Sequence, residues 1–266
     1  MAIGRCPMCL ELKNIVDSHL IPRAMYAYLR PPGGHPIAVS DDYIGSTDRQ
    51  LHDYLLCEEC EDNLNKGGET WLSPLLAKYG GPFPLYELLA TLPPDIVDGK
   101  SAAYAAKRNP QIDCDKLTHF AMGVFWKAAV HSWKGGQKTP MIDLGRYRES
   151  VRIFLGNQSP FPAGMALTIG VLPAPVTFTT FEYPRWEAET RWDKFSFYLP
   201  GVRFVLAVGD SIDPGIRASC FVRNAAHPII VTDFSSKMID AAKNLLTSRR
   251  HIKKFERLAK EIKRPS

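Results

Sequence analysis

Two cysteine pairs of the same spelling constrain this chain more than any other feature: Cys6-Pro7-Met8-Cys9 and Cys57-Glu58-Glu59-Cys60. A Cys-x-x-Cys turn sets two thiolates at tetrahedral spacing, and two such turns complete a four-thiolate site closed to solvent. The pairs predict one structural Zn2+ held by Cys6, Cys9, Cys57 and Cys60, with a redox dithiol as the alternative use of such a pair. A module this small buries too little apolar surface to fold alone, and zinc binding supplies the missing free energy. The 47 residues between Cys9 and Cys57 exceed what a compact zinc ribbon needs, so the intervening segment is expected to carry a function of its own. Cys114 and Cys220 stand alone and read as small buried hydrophobes.

Charge is spread unevenly. The formal net charge is +5. Residues 237–266 hold ten Lys and Arg against Asp240, Glu256 and Glu261, a net of +7, whereas residues 1–73 hold six basic against eleven acidic side chains, a net of −5. That asymmetry predicts a polyanion gripped by the tail, with Arg249, Arg250, Lys253 and Lys254 as the nucleic-acid contacts. A solvated helix face is the plainer use of the same charges. The hydrophobic share of 45% is that of a soluble globular chain, and no run approaches the roughly 20 apolar residues needed to span a bilayer. Residues 1–10 lack an apolar leader segment, so the expected location is the cytoplasm and no membrane partner is expected.

The fold class expected is α+β, in two parts: residues 1–73 around the cysteines, and an accessory or recognition domain over residues 74–266. A Pro/Gly-rich loop, Arg30 to Pro36, interrupts the first part. Beyond it, Leu117, Phe120, Val124, Phe125, Ala128 and Ala129 recur at helical spacing and predict a helix from Asp115 to Trp133, closed by Gly135-Gly136. His119, His131, Trp126 and Trp133 on this segment read as packing or hydrogen-bonded residues. A second helix is expected over 144–155, ended by Gly156-Asn157. The period then changes. Short β-prone runs at Met165–Val171, Val176–Phe181, Phe195–Leu199, Val202–Val208, Cys220–Val222 and Ile229–Thr232 predict an antiparallel sheet. The basic tail, Ser235 to Lys263, is expected to be a helix.

Between the knuckles stands Val16-Asp17-Ser18-His19-Leu20-Ile21-Pro22, and directly after Cys60 comes Glu61-Asp62-Asn63-Leu64-Asn65. Together with Cys6, Cys9, Leu56, Cys57 and Cys60, the residues His19, Ile21 and Pro22 resemble the HNH endonucleases over about residues 3–72. The spelling Ser-His-x-Ile-Pro, followed by Leu-Leu-Cys-x-x-Cys-Glu and a downstream Gly-Glu, looks like the HNH variants of bacterial anti-phage defence systems. The resemblance implies a zinc-bound treble-clef or ββα-metal module, with His19 as the general base that activates water against a DNA phosphodiester. Imidazole suits that task near neutral pH. It also implies a catalytic Mg2+ or Mn2+ beside the histidine, held by an acidic residue before it and by Asn or His on the helix. This chain departs from the pattern at both places, with Ser18 before the histidine and Glu61 on the helix. Asp17 is a substitute ligand, since residues 17 and 19 of a strand point the same way. Glu61, Asn65 and Glu69 follow at successive i+4 positions alongside Cys57 and complete the candidate set. Glu61 and Glu69 also suit the start of a helix simply as charges. His52 or Asp53 stands where the family has a residue that orients the base. A regulatory protein, such as an ATPase or another defence-system subunit, is the further partner this resemblance implies. Two readings of other classes compete: a non-catalytic nucleic-acid-binding module, which Ser18 favours, and a protein-interaction adaptor, which the acidic first part favours.

Overall fold

In the computed structural model, residues 2–30, 37–39, 44–46, 50–78, 80–133, 140–176, 180–187, 191–222, 228–236 and 239–240 are described. The chain is mixed α+β, with helices and largely antiparallel sheets. Its first part runs β1 (Ala2–Arg5), β2 (Leu12–His19), the short α1 (Arg23–Tyr26), β3 (Ile37–Val39), β4 (Ile44–Ser46), β5 (His52–Cys57) and α2 (Glu58–Leu64). A π-helical turn, Asn65–Glu69, links α2 to α3 (Thr70–Leu72). There follow α4 (Pro84–Ala90), β6 (Ile96–Asp98), β7 (Ser101–Ala105), α5 (Cys114–Val130) and α6 (Tyr147–Leu155). The chain then gives β8 (Met165–Val171), β9 (Glu182–Glu187), β10 (Asp193–Leu199), β11 (Val202–Val208), α7 (Pro214–Ala218) and β12 (Pro228–Val231).

β1, β2 and β5 form a small antiparallel sheet in that order, with His19 directly opposite His52. The β2–β5 register shifts between Val16 and Asp17, where Val16 faces Leu56 and Asp17 faces Tyr54. The skipped residue, Leu55, makes a bulge, which lets both Leu55 and Leu56 be buried. The larger sheet has the order β6-β7-β12-β8-β11-β10-β9, antiparallel throughout except where β12 runs parallel to β8. α5 lies across this sheet. Phe125 meets Phe197 at 4.9 Å between ring centroids, Phe120 sits 6.0 Å from Phe204, and Phe197 stacks on Phe204 at 5.0 Å. The apolar core is continuous from Cys6, Leu20, Ile21 and Leu64 through α5 to Phe204 and Ile229.

The helix expected over Asp115–Trp133 spans Cys114–Val130: the Asp113 carboxylate accepts the Lys116 amide at its start, and His131, in extended conformation, ends it before Trp133. The helix expected over 144–155 starts later, at Tyr147, and ends at Gly156 as expected, with Asn157 at φ 57° just beyond. Two expected strands need correction. Cys220–Val222 forms a turn, and the strand expected over Val176–Phe181 lies later, at Glu182–Glu187; residues 177–179 are outside the described residues. The hairpin β6–β7 was not expected, although Asp98-Gly99, with Gly99 at φ +56°, is a hairpin signal. Cys220 is fully buried and Cys114 half-buried. Among the described residues no helix is long and apolar enough to cross a membrane. The tail with Arg249, Arg250, Lys253 and Lys254 lies outside the described residues.

Candidate functional site

The four knuckle thiols converge. The Sγ atoms of Cys6, Cys9, Cys57 and Cys60 all lie within 4.8 Å of one another, with Cys9 and Cys57 at 3.9 Å. Local structure explains the convergence. Cys6 and Cys9 sit on the turn between β1 and β2, closed by the Leu10 amide donating to the Cys6 carbonyl and the Cys6 amide donating to the Glu11 carbonyl. Cys57 ends β5 and Cys60 follows one turn into α2. Arg152 of α6 braces the knuckle from outside through a 2.6 Å hydrogen bond to the Met8 carbonyl. Burial pushes the Cys6 thiol up, but amides of Cys57, Cys9 and Met8 outweigh it and bring Cys6 below its ordinary value. Burial raises Cys9 and Cys60, and neighbouring Cys57 and Cys6 raise Cys60 further. Four thiols packed this way resist full ionisation unless a divalent cation shares the charge, and the all-sulfur donor set fits Zn2+.

About the end of β2, a second cluster forms. Strand alternation buries Ser18 and leaves Asp17 exposed, with His19 half-buried. Ser18 Oγ donates to Glu61 Oε2 at 2.8 Å and accepts the Leu56 amide at 3.3 Å. Burial raises the Glu61 carboxyl above its ordinary value; Lys127 and Ser18 oppose that rise, and Glu69 and Asp17 add to it. Outside, the rings of His19 and His52 stack with centroids 5.2 Å apart and planes 21° apart. His52 Nδ1 lies 2.8 Å from Asp17 Oδ1, and one rung along, His131 Nε2 lies 3.0 Å from Asp53 Oδ2. Burial lowers the His19 pKa below its ordinary value. His52, Lys127 and Arg23 lower it further, against Asp17.

Lys127 is the residue that sequence reasoning missed. It is fully buried on α5, and its ammonium donates to the His19 carbonyl at 2.7 Å and to Glu69 Oε1 at 3.0 Å. Trp133 Nε1 in turn caps the Lys127 carbonyl at 2.8 Å. A single lysine in an apolar helical stripe was the available signal, since a buried lysine requires an acidic partner.

The expected ligands of a catalytic Mg2+ or Mn2+ do not gather. Asp17 is on the outer side of β2 and bonds His52; Glu61 is on the inner side and bonds Ser18. Glu69 pairs with Lys127, and Asn65 is half-buried at the start of the π turn. The i+4 ladder from Glu61 to Glu69 breaks because residues 65–69 are wound as a π turn. Gly67 and Gly68 press that turn against α5. A Cβ on Gly68 would meet the Lys116 carbonyl oxygen at 2.4 Å, and one on Gly67 would meet His119 Nδ1 at 2.2 Å. Among the described residues, only the four cysteines group as three or more metal-ligating side chains. Asp17, Glu61 and Glu69 thus form no such group among the described residues. His119 hydrogen-bonds the Leu155 carbonyl at 3.2 Å, and Trp126 and Trp133 are buried, in keeping with packing roles.

Comparison of the chain with family models, with curated proteins and with solved structures finds no match.

Proposed function

We propose that the first part of the chain is an HNH-type nuclease unit of treble-clef construction, cleaving nucleic-acid phosphodiesters with His19 as general base. The observation that carries the reading is the placement of His19. It ends a strand whose other end is pinned by the cysteine cluster, and it lies half-buried with its neutral form favoured. A neutral imidazole at the protein surface takes a proton from the attacking oxygen. Zinc on Cys6, Cys9, Cys57 and Cys60 fixes β2, β5 and α2 against one another and takes no part in the chemistry. Lys127 holds the His19 main chain, and Glu61 holds Ser18, the residue before His19 on the strand. The tail charges at Arg249, Arg250, Lys253 and Lys254 are assigned to the nucleic-acid backbone.

The Ser18–Glu61 hydrogen bond stands where the family pattern places metal ligands, and it favours a second reading, a zinc-dependent binding module without cleavage. Nicking of supercoiled plasmid DNA and of single-stranded DNA and RNA, with and without Mg2+ or Mn2+, separates the two. His19→Ala should abolish cleavage while zinc content and nucleic-acid affinity stay unchanged. Wild-type protein that binds but never cleaves establishes the binding module; cleavage unchanged in His19→Ala removes His19 from the chemistry.

A further inference from the structure

The outer corner of the β2–β5 pair carries two imidazoles where one base is needed. The strand register places His52 directly across from His19, and the rings stack at 5.2 Å. Asp17, two residues before His19 and on the same side of the strand, bonds Nδ1 of His52 at 2.8 Å. With Nδ1–H donating to the carboxylate, Nε2 is the ring nitrogen left to exchange a proton with a bound molecule. The His52 side chain is 52% exposed, so that nitrogen belongs to a solvent-facing edge rather than to the core. Of the carboxylates expected to hold a divalent cation, Asp17 is taken up by His52 at this corner, Glu61 by Ser18 and Glu69 by Lys127.

We propose that His52, oriented by Asp17, is a second catalytic residue paired with His19, and that the pair cleaves RNA through its ribose 2′-hydroxyl without a divalent metal. The proposal rests on the reading of His19 as a base at a phosphodiester. His19 removes the 2′-hydroxyl proton as O2′ bonds to phosphorus. The P–O5′ bond breaks, and O5′ takes the proton from Nε2 of the His52 imidazolium. The products are a 2′,3′-cyclic phosphate and a 5′-hydroxyl; His19 ends protonated and His52 neutral, and exchange with water restores both. RNA is the substrate this arrangement favours because its nucleophile is already attached to the substrate. Well-oriented intramolecular attack is equivalent to effective molarities of about 10⁵ M or more, which replaces the help a metal gives to external water. Stacked rings with centroids 5.2 Å apart suit two oxygens of one phosphate. Burial of His19 favours the neutral form the base must have, and Asp17, His52, Lys127 and Arg23 are the groups acting on it.

The test uses the full-length, zinc-loaded protein in buffer stripped of Mg2+, Mn2+ and Ca2+. The substrates are a DNA oligonucleotide carrying one ribonucleotide, the all-DNA strand, and the ribonucleotide strand with a bridging 5′-sulfur at the scissile bond. The proposal expects cleavage only at the ribonucleotide, with a cyclic phosphate seen by mass spectrometry. His52→Ala should lower the rate by at least about 10²-fold, and the 5′-sulfur substrate should restore most of that loss because a thiolate leaves without a proton. Asp17→Asn, a change in a positioning residue, should lower kcat with little change in KM. An unfolded variant could not regain activity with the sulfur substrate, so rescue separates chemistry from structure. His52→Ala cleaving as wild type, a loss that sulfur does not rescue, or ribonucleotide cleavage that requires Mg2+ each overturns the proposal. His19-dependent cleavage of DNA with Mg2+, and none of the ribonucleotide strand, overturns it while leaving the nuclease reading intact. Absence of cleavage of any nucleic acid under any condition overturns both.

Discussion

Replacing Lys127 with Met tests the network that joins α5 to the base of the site. The wild-type ammonium is buried, its side chain 1% exposed against 10% for Glu69, and it satisfies both the Glu69 carboxylate and the His19 carbonyl. Met fills nearly the same volume, so the cavity cost is small and the loss is electrostatic. Glu69 would be left as a buried carboxylate with no cation, a situation that costs about 3–5 kcal/mol when one partner of a buried pair is removed. For a chain of this size each kcal/mol lowers Tm by roughly 2–4 °C, so the expected drop is about 6–20 °C. Differential scanning calorimetry on zinc-loaded wild type, Lys127→Met and the Lys127→Met/Glu69→Met double variant reads this directly. The double variant removes both charges together and should regain most of the loss, because an apolar pair of similar volume is often as stable as a buried ion pair. A single-variant cost under about 1 kcal/mol, or a double variant no more stable than Lys127→Met alone, would show that Lys127 and Glu69 are not coupled as the geometry requires.

Freshly purified protein should contain one tightly bound zinc by elemental analysis, and Cys57→Ser or Cys6→Ser should unfold the first part of the chain, since binding and folding are one free energy. Zinc-free, folded protein would refute this. Gly68→Ala should destabilise by roughly 1–3 kcal/mol in urea melts, because its Cβ meets a backbone carbonyl at 2.4 Å that cannot swing aside; a neutral change would mean the π turn is free to move off α5. His19 has a folded pKa below its ordinary 6.5, so activity needing the neutral ring should rise with pH through a midpoint below 6.5. Between that midpoint and 6.5 the unfolded chain binds more protons than the folded one, so stability should rise with pH across the window and level off above it. His19→Ala should flatten that rise in pH-dependent melts, and an unchanged slope would assign it elsewhere. Neutralising Arg249, Arg250, Lys253 and Lys254 should weaken nucleic-acid binding and flatten its log–log salt dependence by about 0.9 for each phosphate no longer neutralised; an unchanged slope makes the tail a solvated face.

The cysteine cluster was legible because its geometry is local: each Cys-x-x-Cys turn sets its own pair, and the fold has only to bring two pairs together. α5 was legible because its apolar periodicity is continuous, although its cap, Asp113, lies two residues before the expected start. Parity along β2 correctly placed Asp17 with His19 on one side, yet the same parity puts Glu61 on the other, under Ser18. The i+4 argument for Glu61, Asn65 and Glu69 assumed an unbroken α-helix. Gly67-Gly68 stood in plain view, but what it means depends on Lys116 and His119, about fifty residues on. Lys127 and His131 were opaque for the same reason: nothing near them in sequence names Glu69, the His19 carbonyl or Asp53 as partners. The parallel pairing of β12 with β8 was likewise out of reach, since a strand of Pro228–Val231 reads the same in either direction.

The role of α5 follows from charge. Residues 1–73 have a net charge of −5, which repels a phosphate backbone. Two of their carboxylates, Glu61 and Glu69, point inward behind His19, where low dielectric strengthens any field they make. Lys127 enters from α5 and neutralises Glu69 at 3.0 Å, and burial holds Glu61 toward its protonated form. Lys127 thus compensates Glu69 behind His19, while Arg23, exposed at the start of α1, adds positive charge that lowers the His19 pKa. On the reading proposed above, a phosphodiester must approach an acidic unit, and a helix from the second part of the chain places a cation beneath that unit.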